Sequence, residues 1–183
     1  MITVSSRANI FGAGHAVAPE PGGGGGGDLP PVVELPSGPD IVVTFPCVTG
    51  RISCCSGASE SSANGTTDYS TNIFSYQGIS GISHGRRSVF LVGVFVGDEE
   101  PTHPATASLD FTQTCPDVCT VDQFEPEIGQ IFFIGLGGER PAYVAPGGAT
   151  RLFLGFADAF FTQGSPGWYG NNSGQLEVVV RLP

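Results

Sequence analysis

The residues best suited to chemistry lie close together near the C-terminal end of the chain. Asp158 precedes the run Pro166-Gly167-Trp168-Tyr169-Gly170-Asn171-Asn172-Ser173-Gly174. Ca²⁺ takes about six to eight oxygen ligands from carboxylates, amide carbonyls and backbone carbonyls, often on one loop. Asp158, Asn171, Asn172 and the carbonyls of the turn supply such oxygens, so the pattern predicts a calcium site. The alternative is a purely structural turn, because Asn tolerates left-handed backbone and caps its own chain.

The same run resembles the calcium- and sugar-binding loop of the PA-IL type bacterial galactose lectins, which reads Pro-Gly-Thr-Tyr-Gly-Asn-Asn-Ser-Gly before the last strand. Upstream, Tyr-Val-Ala-Pro-Gly-Gly at 143–148 is similar to that family's Trp-Val-Ala-Pro-Asn-Asn. Gly-Arg-Ile-Ser-Cys at 50–54 can be placed on the family's Gly-Trp-Ala-Ser-Tyr. The resemblance implies a jelly-roll-like β-sandwich whose surface Ca²⁺ coordinates sugar hydroxyls directly.

For the metal, the resemblance implies side-chain ligands from Asp158, Asn171 and Asn172. It also implies backbone carbonyl ligands from Trp168 and from Cys54, which stands where the family has Tyr. Residues 159–165 form an insertion relative to the shorter lectin loop. This insertion could move Asp158 away from the site or build a wall over the sugar pocket.

For the sugar, the resemblance implies contacts from Gln77, Asp158, Asn171 and Tyr76. Phe-Ser-Tyr-Gln-Gly-Ile at 74–79 can be set against the family's His-Pro-Asp-Gln-Gly-Leu, so Gln77 matches the Gln that hydrogen-bonds the sugar. Aromatic rings could stack on a pyranose face or could simply belong to the edge of the core. The candidates for stacking are Trp168, Tyr169, Tyr76 and Phe161.

The composition predicts an all-β sandwich or barrel spanning residues 1–183 as one domain, and the lectin resemblance implies that it is a jelly-roll-like antiparallel β-sandwich. Gly and Pro are abundant, at 28 and 15 residues, and separate short runs of β-branched and aromatic residues. We expect strands over Ile2–Phe11, Val32–Leu35, Ile41–Val48, Arg51–Cys55, Ser88–Val96, Gln130–Ile134, Ala142–Ala145, Thr150–Phe156 and Gln175–Leu182. Long polar loops are expected over residues 58–83 and 98–126.

The charge balance excludes several classes of partner. The formal net charge is −10, and all seven basic residues are arginine. Without a basic face the chain is not expected to bind nucleic acid or an anionic membrane surface. No apolar run has the eighteen or more residues of a membrane helix, so no membrane insertion is expected.

The five cysteines favour disulfides over a metal site. Cys115 and Cys119 lie in one polar loop and could pair, and Cys47 could pair with Cys54 or Cys55. A zinc site is the alternative, but the usual CxxC spacing is missing. Disulfides indicate an oxidising compartment, so we expect an extracellular or cell-surface location. The opening residues Met1-Ile2-Thr3-Val4 favour a strand over a secretory signal.

Residues 12–31 form a low-complexity segment with a hexaglycine at 22–27. Ordering six glycines is entropically costly, so an ordered segment needs a groove or a partner subunit to hold it. This motivates an alternative function, a self-assembling extracellular subunit that could form a homo-oligomer or filament.

The leading expectation is a non-catalytic, Ca²⁺-dependent protein that binds glycans or polysaccharide. The histidines, at 15, 84 and 103, have no catalytic partner motif, so an enzyme is not expected.

Overall fold

The structure is a computed structural model that describes residues 1–102 and 104–183, so His103 lies outside the described residues. The strands formed by these residues are β1 (Ile2–Ser5), β2 (Val32–Glu34), β3 (Val42–Ser53), β4 (Thr71–Ile73), β5 (Ile82–His84), β6 (Leu91–Val96), β7 (Leu109–Asp110), β8 (Gln123–Phe124), β9 (Ile131–Phe133), β10 (Gly138–Val144), β11 (Arg151–Phe156), β12 (Gln163–Gly164) and β13 (Ser173–Arg181). Short 3₁₀ turns lie at Ile10–Gly12, Phe160–Thr162 and Tyr169–Asn171. Within the described ranges, no helix is long and apolar enough to cross a membrane.

The strands assemble into three sheets. The first has the order β1-β13-β3-β10-β8, the second β2-β11-β6-β9, and the third β12-β4-β5-β7. The long ladders are antiparallel, whereas β8, β7 and β12 each join a neighbour through a short parallel contact. The arrangement confirms the predicted all-β sandwich.

The core lies around β6 and β11, which carry nearly continuous apolar sequence. Every residue of β6 is buried, and in β11 only Arg151 is not. The two strands pair antiparallel with Leu152 opposite Phe95, and the Phe95 and Phe132 rings lie 5.1 Å apart. Burial on both faces explains why these runs lack the alternation of a half-exposed strand.

The ladder between β3 and β13 places the ends of these two strands side by side. Ser53, the last residue of β3, is opposite Ser173, the first residue of β13. Cys54 therefore leaves the sheet next to Asn172. The end of β11 reaches the same region, because Phe156 forms a bridge with Asn9 and Asn172 contacts the neighbouring Ser6.

Several predicted strand boundaries differ from those of the structure, and two of the differences concern the N-terminal segment and β3. The predicted strand Ile2–Phe11 ends at Ser5, and the chain then turns into a 3₁₀ turn whose N-cap, Asn9, accepts a hydrogen bond from Phe11 N–H. The predicted break around Gly50 is absent, since β3 runs without interruption from Val42 to Ser53. Its long ladder with β13 outweighs the low strand propensity of glycine.

The predicted polar loops contain short strands that sequence patterns did not reveal. Thr71–Ile73 (β4) lies within residues 58–83, and Leu109–Asp110 (β7) and Gln123–Phe124 (β8) lie within residues 98–126. Two or three residues are too few for an alternating pattern to be visible. β4 and β7 form because they pair within the third sheet, and β8 forms because it pairs with β10 at the edge of the first.

The cysteines follow the prediction only in part. Cys115 and Cys119 form a disulfide, as predicted. The predicted pairing of Cys47 with Cys54 or Cys55 is wrong, because all three are free. Cys47 lies within β3 and Cys54 directly follows its end, so about 20 Å of extended strand separates them. The alternative to disulfides was a zinc site. The described residues contain no group of three or more His, Cys, Asp or Glu side chains that could hold a metal ion.

Candidate functional site

Asp158 is a buried carboxylate two residues beyond the end of β11. It is 4% exposed. Its Oδ1 accepts a hydrogen bond from Ala159 N–H at 2.8 Å, and its Oδ2 accepts one from Asn172 Nδ2 at 2.9 Å. Burial raises the pKa of Asp158 to about 7, although both hydrogen bonds act in the opposite direction. A cation beside this group would offset the cost of its burial.

Asn172 is also buried, at 5% exposure, and it is only half satisfied. Its Nδ2 donates to the backbone oxygen of Ser6 at 3.1 Å as well as to Asp158. Its Oδ1 is buried and has no hydrogen-bond partner among the described residues. Leaving a buried acceptor unsatisfied costs about 1–3 kcal/mol. An amide oxygen of this kind is a suitable ligand for Ca²⁺.

Tyr169 anchors the loop that carries the two asparagines. The side chain is fully buried. Its hydroxyl donates to Phe156 O at 2.8 Å and accepts from Asp158 N–H at 3.0 Å. Asp158 O in turn accepts from Gly167 N–H at 3.0 Å. One phenol therefore connects the end of β11, the carboxylate and the asparagine loop.

These residues border a cavity of about 210 Å³. Four of the five predicted metal-site residues line it: Asp158, Asn171, Trp168 and Cys54. The fifth, Asn172, touches Asp158 directly. Among the described residues lining the cavity there is no basic side chain to neutralise the carboxylate.

Cys54 and its neighbour Cys55 both line the cavity. Burial, followed by the hydrogen bond with Cys55, raises the pKa of the Cys54 thiol to about 12. The thiol is therefore protonated at neutral pH and is a poor metal ligand. The group of Cys54 that suits a hard cation is its backbone carbonyl, as the resemblance implies.

The insertion 159–165 forms an aromatic wall beside the cavity and leaves Asp158 within its lining. Phe160 and Phe161 are exposed, and their rings lie 4.6 Å apart. Phe160 contacts Trp168 at 4.8 Å, and Phe161 contacts Tyr69 at 5.9 Å. We call these four residues the aromatic wall. It presents apolar faces next to the buried carboxylate.

The backbone in and directly beside the aromatic wall is held in an unusual conformation. Phe161, Thr162 and Trp168 have left-handed φ values of 49°, 56° and 70°. Such residues persist only where surrounding contacts impose the conformation, and they are concentrated at binding sites. Here the Thr162 hydroxyl donates to Ser70 O at 2.6 Å.

The structure places Gln77 and Tyr76 at a different cavity. That cavity is also lined by His15, Pro21 and Glu100. The backbone oxygen of Gln77 is 3.0 Å from His15 Nε2. Neither residue lines the cavity of Asp158, and the exposed rings of the aromatic wall lie there instead. Tyr169, another stacking candidate, is fully buried and presents no face to a ligand.

The hexaglycine is ordered by the candidate site itself. Three backbone N–H groups of residues 168–170 donate to carbonyls of residues 23–25 at 2.8, 3.0 and 3.1 Å. The Trp168 indole N–H donates to Gly22 O at 3.1 Å, and Gly22 N–H donates to Pro166 O at 2.9 Å. Asn9 Nδ2 holds the other end through Gly26 O at 2.9 Å. We call residues 22–27 the glycine clasp.

Sequence reasoning did not identify Phe160, Tyr69, Ser88 or the clasp as parts of the site. Ser88 lines the cavity, and its buried Oγ has no partner among the described residues. The adjacent pair Phe160-Phe161 within a polar stretch was the available signal for the wall. Tyr69, Ser88 and the clasp lie far from Asp158 in sequence and carry no motif.

Comparison with known proteins does not assign this chain to a family. No protein-family model matches it, and no curated protein matches it. The resemblance to the galactose lectins therefore depends on its motif residues alone. The function has to be argued from the geometry of the cavity.

Proposed function

We propose that this chain is a non-catalytic, Ca²⁺-dependent carbohydrate-binding protein and that the cavity beside Asp158 is its binding site. The observation that carries the proposal is the buried Asn172 Oδ1, which has no partner among the described residues and belongs to a side chain bonded to the buried Asp158 carboxylate. An oxygen-binding cation would satisfy both groups at once.

In this proposal the side chains of Asp158, Asn171 and Asn172 hold the ion, together with the backbone carbonyls of Trp168 and Cys54. The bound Ca²⁺ would supply open coordination positions for two adjacent sugar hydroxyls. Tyr169 and the glycine clasp hold the ligand loop in place, and the aromatic wall offers a face to the C–H side of a sugar ring.

Gln77 and Tyr76 have no part in the proposed site, because they line another cavity. Sugar orientation is assigned instead to the exposed rings of Phe160 and Phe161. The alternative of a self-assembling subunit rested on the ordered hexaglycine. The contacts of that segment lie within its own chain, so no observation favours the alternative.

The first test is calcium-dependent stability. Ca²⁺ at about 100 times its dissociation constant should stabilise the fold by about 2.7 kcal/mol, since it binds only the native state. For a chain of this size that corresponds to a rise in Tm of about 5–10 °C. Asp158→Asn should abolish the rise, measured by thermal melting at pH 7.5 with Ca²⁺ or with EDTA.

Asp40→Asn is the matched control, because Asp40 is an exposed carboxylate at the other end of β3. It should retain the full response to Ca²⁺. Identical melting curves with ion and with chelator in the unmodified protein would refute the metal site.

The second test concerns the sugar. Phe161→Ala should weaken glycan binding about fivefold, because a ring contact is worth about 1 kcal/mol, and should leave the calcium-dependent Tm shift intact. Phe74→Ala is the control, since Phe74 is equally exposed but does not line the cavity. Binding is measured on a glycan array with Ca²⁺ and with EDTA. Glycan binding that survives EDTA would contradict the role of the ion.

A further inference from the structure

Cys54 and Cys55 are adjacent free thiols at the cavity. Their sulfurs lie 2.9 Å apart, and both residues are partly exposed. Cys47 is too far along β3 to compete for either one. The pair is thus isolated from the other free cysteine and directly accessible from the binding cavity.

A disulfide between neighbouring residues is easily reduced. Consecutive Cα atoms are about 3.8 Å apart, which is shorter than the usual separation of about 4.4–6.8 Å across a disulfide. Strained disulfides are more oxidising than structural ones, and they are the labile and regulatory class. A bond at this position therefore suits reversible chemistry better than permanent stabilisation.

Closing the bond brings the sulfurs from 2.9 Å to about 2.05 Å and encloses the peptide between the two cysteines in an eight-membered ring, which restricts the conformation of that peptide. The carbonyl of Cys55 is held from the other side, because it accepts hydrogen bonds from Ser53 Oγ at 3.0 Å and from Ala58 N–H at 3.1 Å. With the Cys55 carbonyl fixed, the group that can rotate is the peptide between Cys54 and Cys55. The carbonyl of that peptide belongs to Cys54. That carbonyl is one of the oxygens assigned to the cation.

We propose that Cys54 and Cys55 form a reversible disulfide that weakens cation binding at the cavity, an inference that rests on the proposed function. The oxidant is a small disulfide such as oxidised glutathione. One cysteine displaces a glutathione thiol to form a mixed disulfide, and the second cysteine displaces the other. The two cysteines lose two electrons and two protons, and the oxidant is reduced to two thiols.

The coupling is reciprocal. If the disulfide weakens Ca²⁺ binding about tenfold, Ca²⁺ must oppose oxidation by the same factor. Saturating Ca²⁺ should therefore raise about tenfold the quotient of the concentration of oxidised glutathione over the square of that of reduced glutathione, at which half of the pair is oxidised. This second measurement does not depend on any glycan.

The experiment uses the full chain carrying Cys47→Ser, equilibrated in glutathione buffers of varied ratio with and without Ca²⁺. Peptide mass mapping should find a loss of about 2 Da, two hydrogens, on the peptide containing both cysteines. Isothermal titration should give Ca²⁺ affinity about tenfold weaker in the oxidised form. Adding Cys55→Ser keeps the Cys54 carbonyl but removes the bond, so its affinity should not respond to glutathione.

Two results would overturn the proposal: mixed disulfides with glutathione but no internal bond, or an internal bond that leaves Ca²⁺ affinity unchanged. Absence of Ca²⁺ binding in the reduced protein would refute the proposed function instead. In that case the mass change alone would still show whether the disulfide forms. Failure of the disulfide and failure of the proposed function can therefore be told apart.

Discussion

Asp158 is the residue on which the site depends most strongly. It is buried beside an amide, with no basic side chain among the described residues of its cavity. Desolvation raises its pKa from 3.8 to about 7. The folded protein thus binds a proton at this carboxyl more tightly than the unfolded chain does.

This shift predicts a specific pH dependence of stability. Because the folded pKa lies above the unfolded one, the contribution of Asp158 is fully favourable below about pH 4 and is lost as pH rises to about 7. In EDTA, Asp158→Asn should be more stable than the unmodified protein at pH 8, by on the order of 4 kcal/mol at most, and the two should converge near pH 4. Urea unfolding across this pH range measures the difference.

Asp40→Asn again provides the comparison, because it removes an exposed carboxylate that does not line the cavity. Ca²⁺ should cancel the disadvantage of the unmodified protein at pH 8, where the carboxylate is ionised and free to bind. Parallel pH profiles for Asp158→Asn and the unmodified protein would contradict a raised pKa at this position.

At the scale of elements, the glycine clasp and the asparagine loop are held together by backbone hydrogen bonds. Gly24 packs so closely that an added Cβ would lie 2.5 Å from Trp168 Cδ2 and 2.8 Å from Trp168 Cα. Gly23 has nearly the same φ, +74° against +72°, but a Cβ there would meet nothing within 4 Å. Alanine at Gly23 therefore tests the cost of the left-handed backbone alone, whereas alanine at Gly24 adds the cost of the contact with Trp168.

We expect Gly24→Ala to weaken Ca²⁺ binding and Gly23→Ala to leave it unchanged. Both substitutions cost about 1–2 kcal/mol through left-handed backbone, but only Gly24→Ala pushes against the ligand loop. Trp168 is the single tryptophan of the chain, so its fluorescence reports on the loop. Calcium titration of the two variants makes the comparison. Equal affinities would mean that the clasp does not position the loop.

At the scale of the whole molecule, residues 12–31 are ordered by contacts within the chain. We predict that these residues resist a broad-specificity protease and that the cleavage rate does not change on dilution, because the hydrogen bonds that hold the glycine clasp lie within the chain. Gly24→Ala should accelerate cleavage. Protection that disappears on dilution would show that a partner subunit orders the segment and would revive the self-assembling alternative.

The all-β class and the longest buried strands were predictable from the sequence. Apolar runs such as Leu91–Val96 and Arg151–Phe156 are local signals, and they became β6 and β11. The proximity of the candidate ligands is also a local feature, since Asp158 and the two asparagines lie within fifteen residues of one another. Their role as metal ligands stays a prediction. Two- and three-residue strands such as β7 and β4 were not predictable, because their pairing partners alone define them.

Only the tertiary structure decided which distant residues join the site. Trp168 and Gly22 are 146 positions apart, yet a hydrogen bond connects them. Gln77 and Tyr76 carry a lectin-like motif but pack near His15 instead. The physical reason is that local sequence sets strand and turn preferences, whereas long-range contacts depend on how the completed sheets and loops pack. The sequence by itself determined the longest strands and the candidate site residues, and packing determined which of those residues surround the cavity.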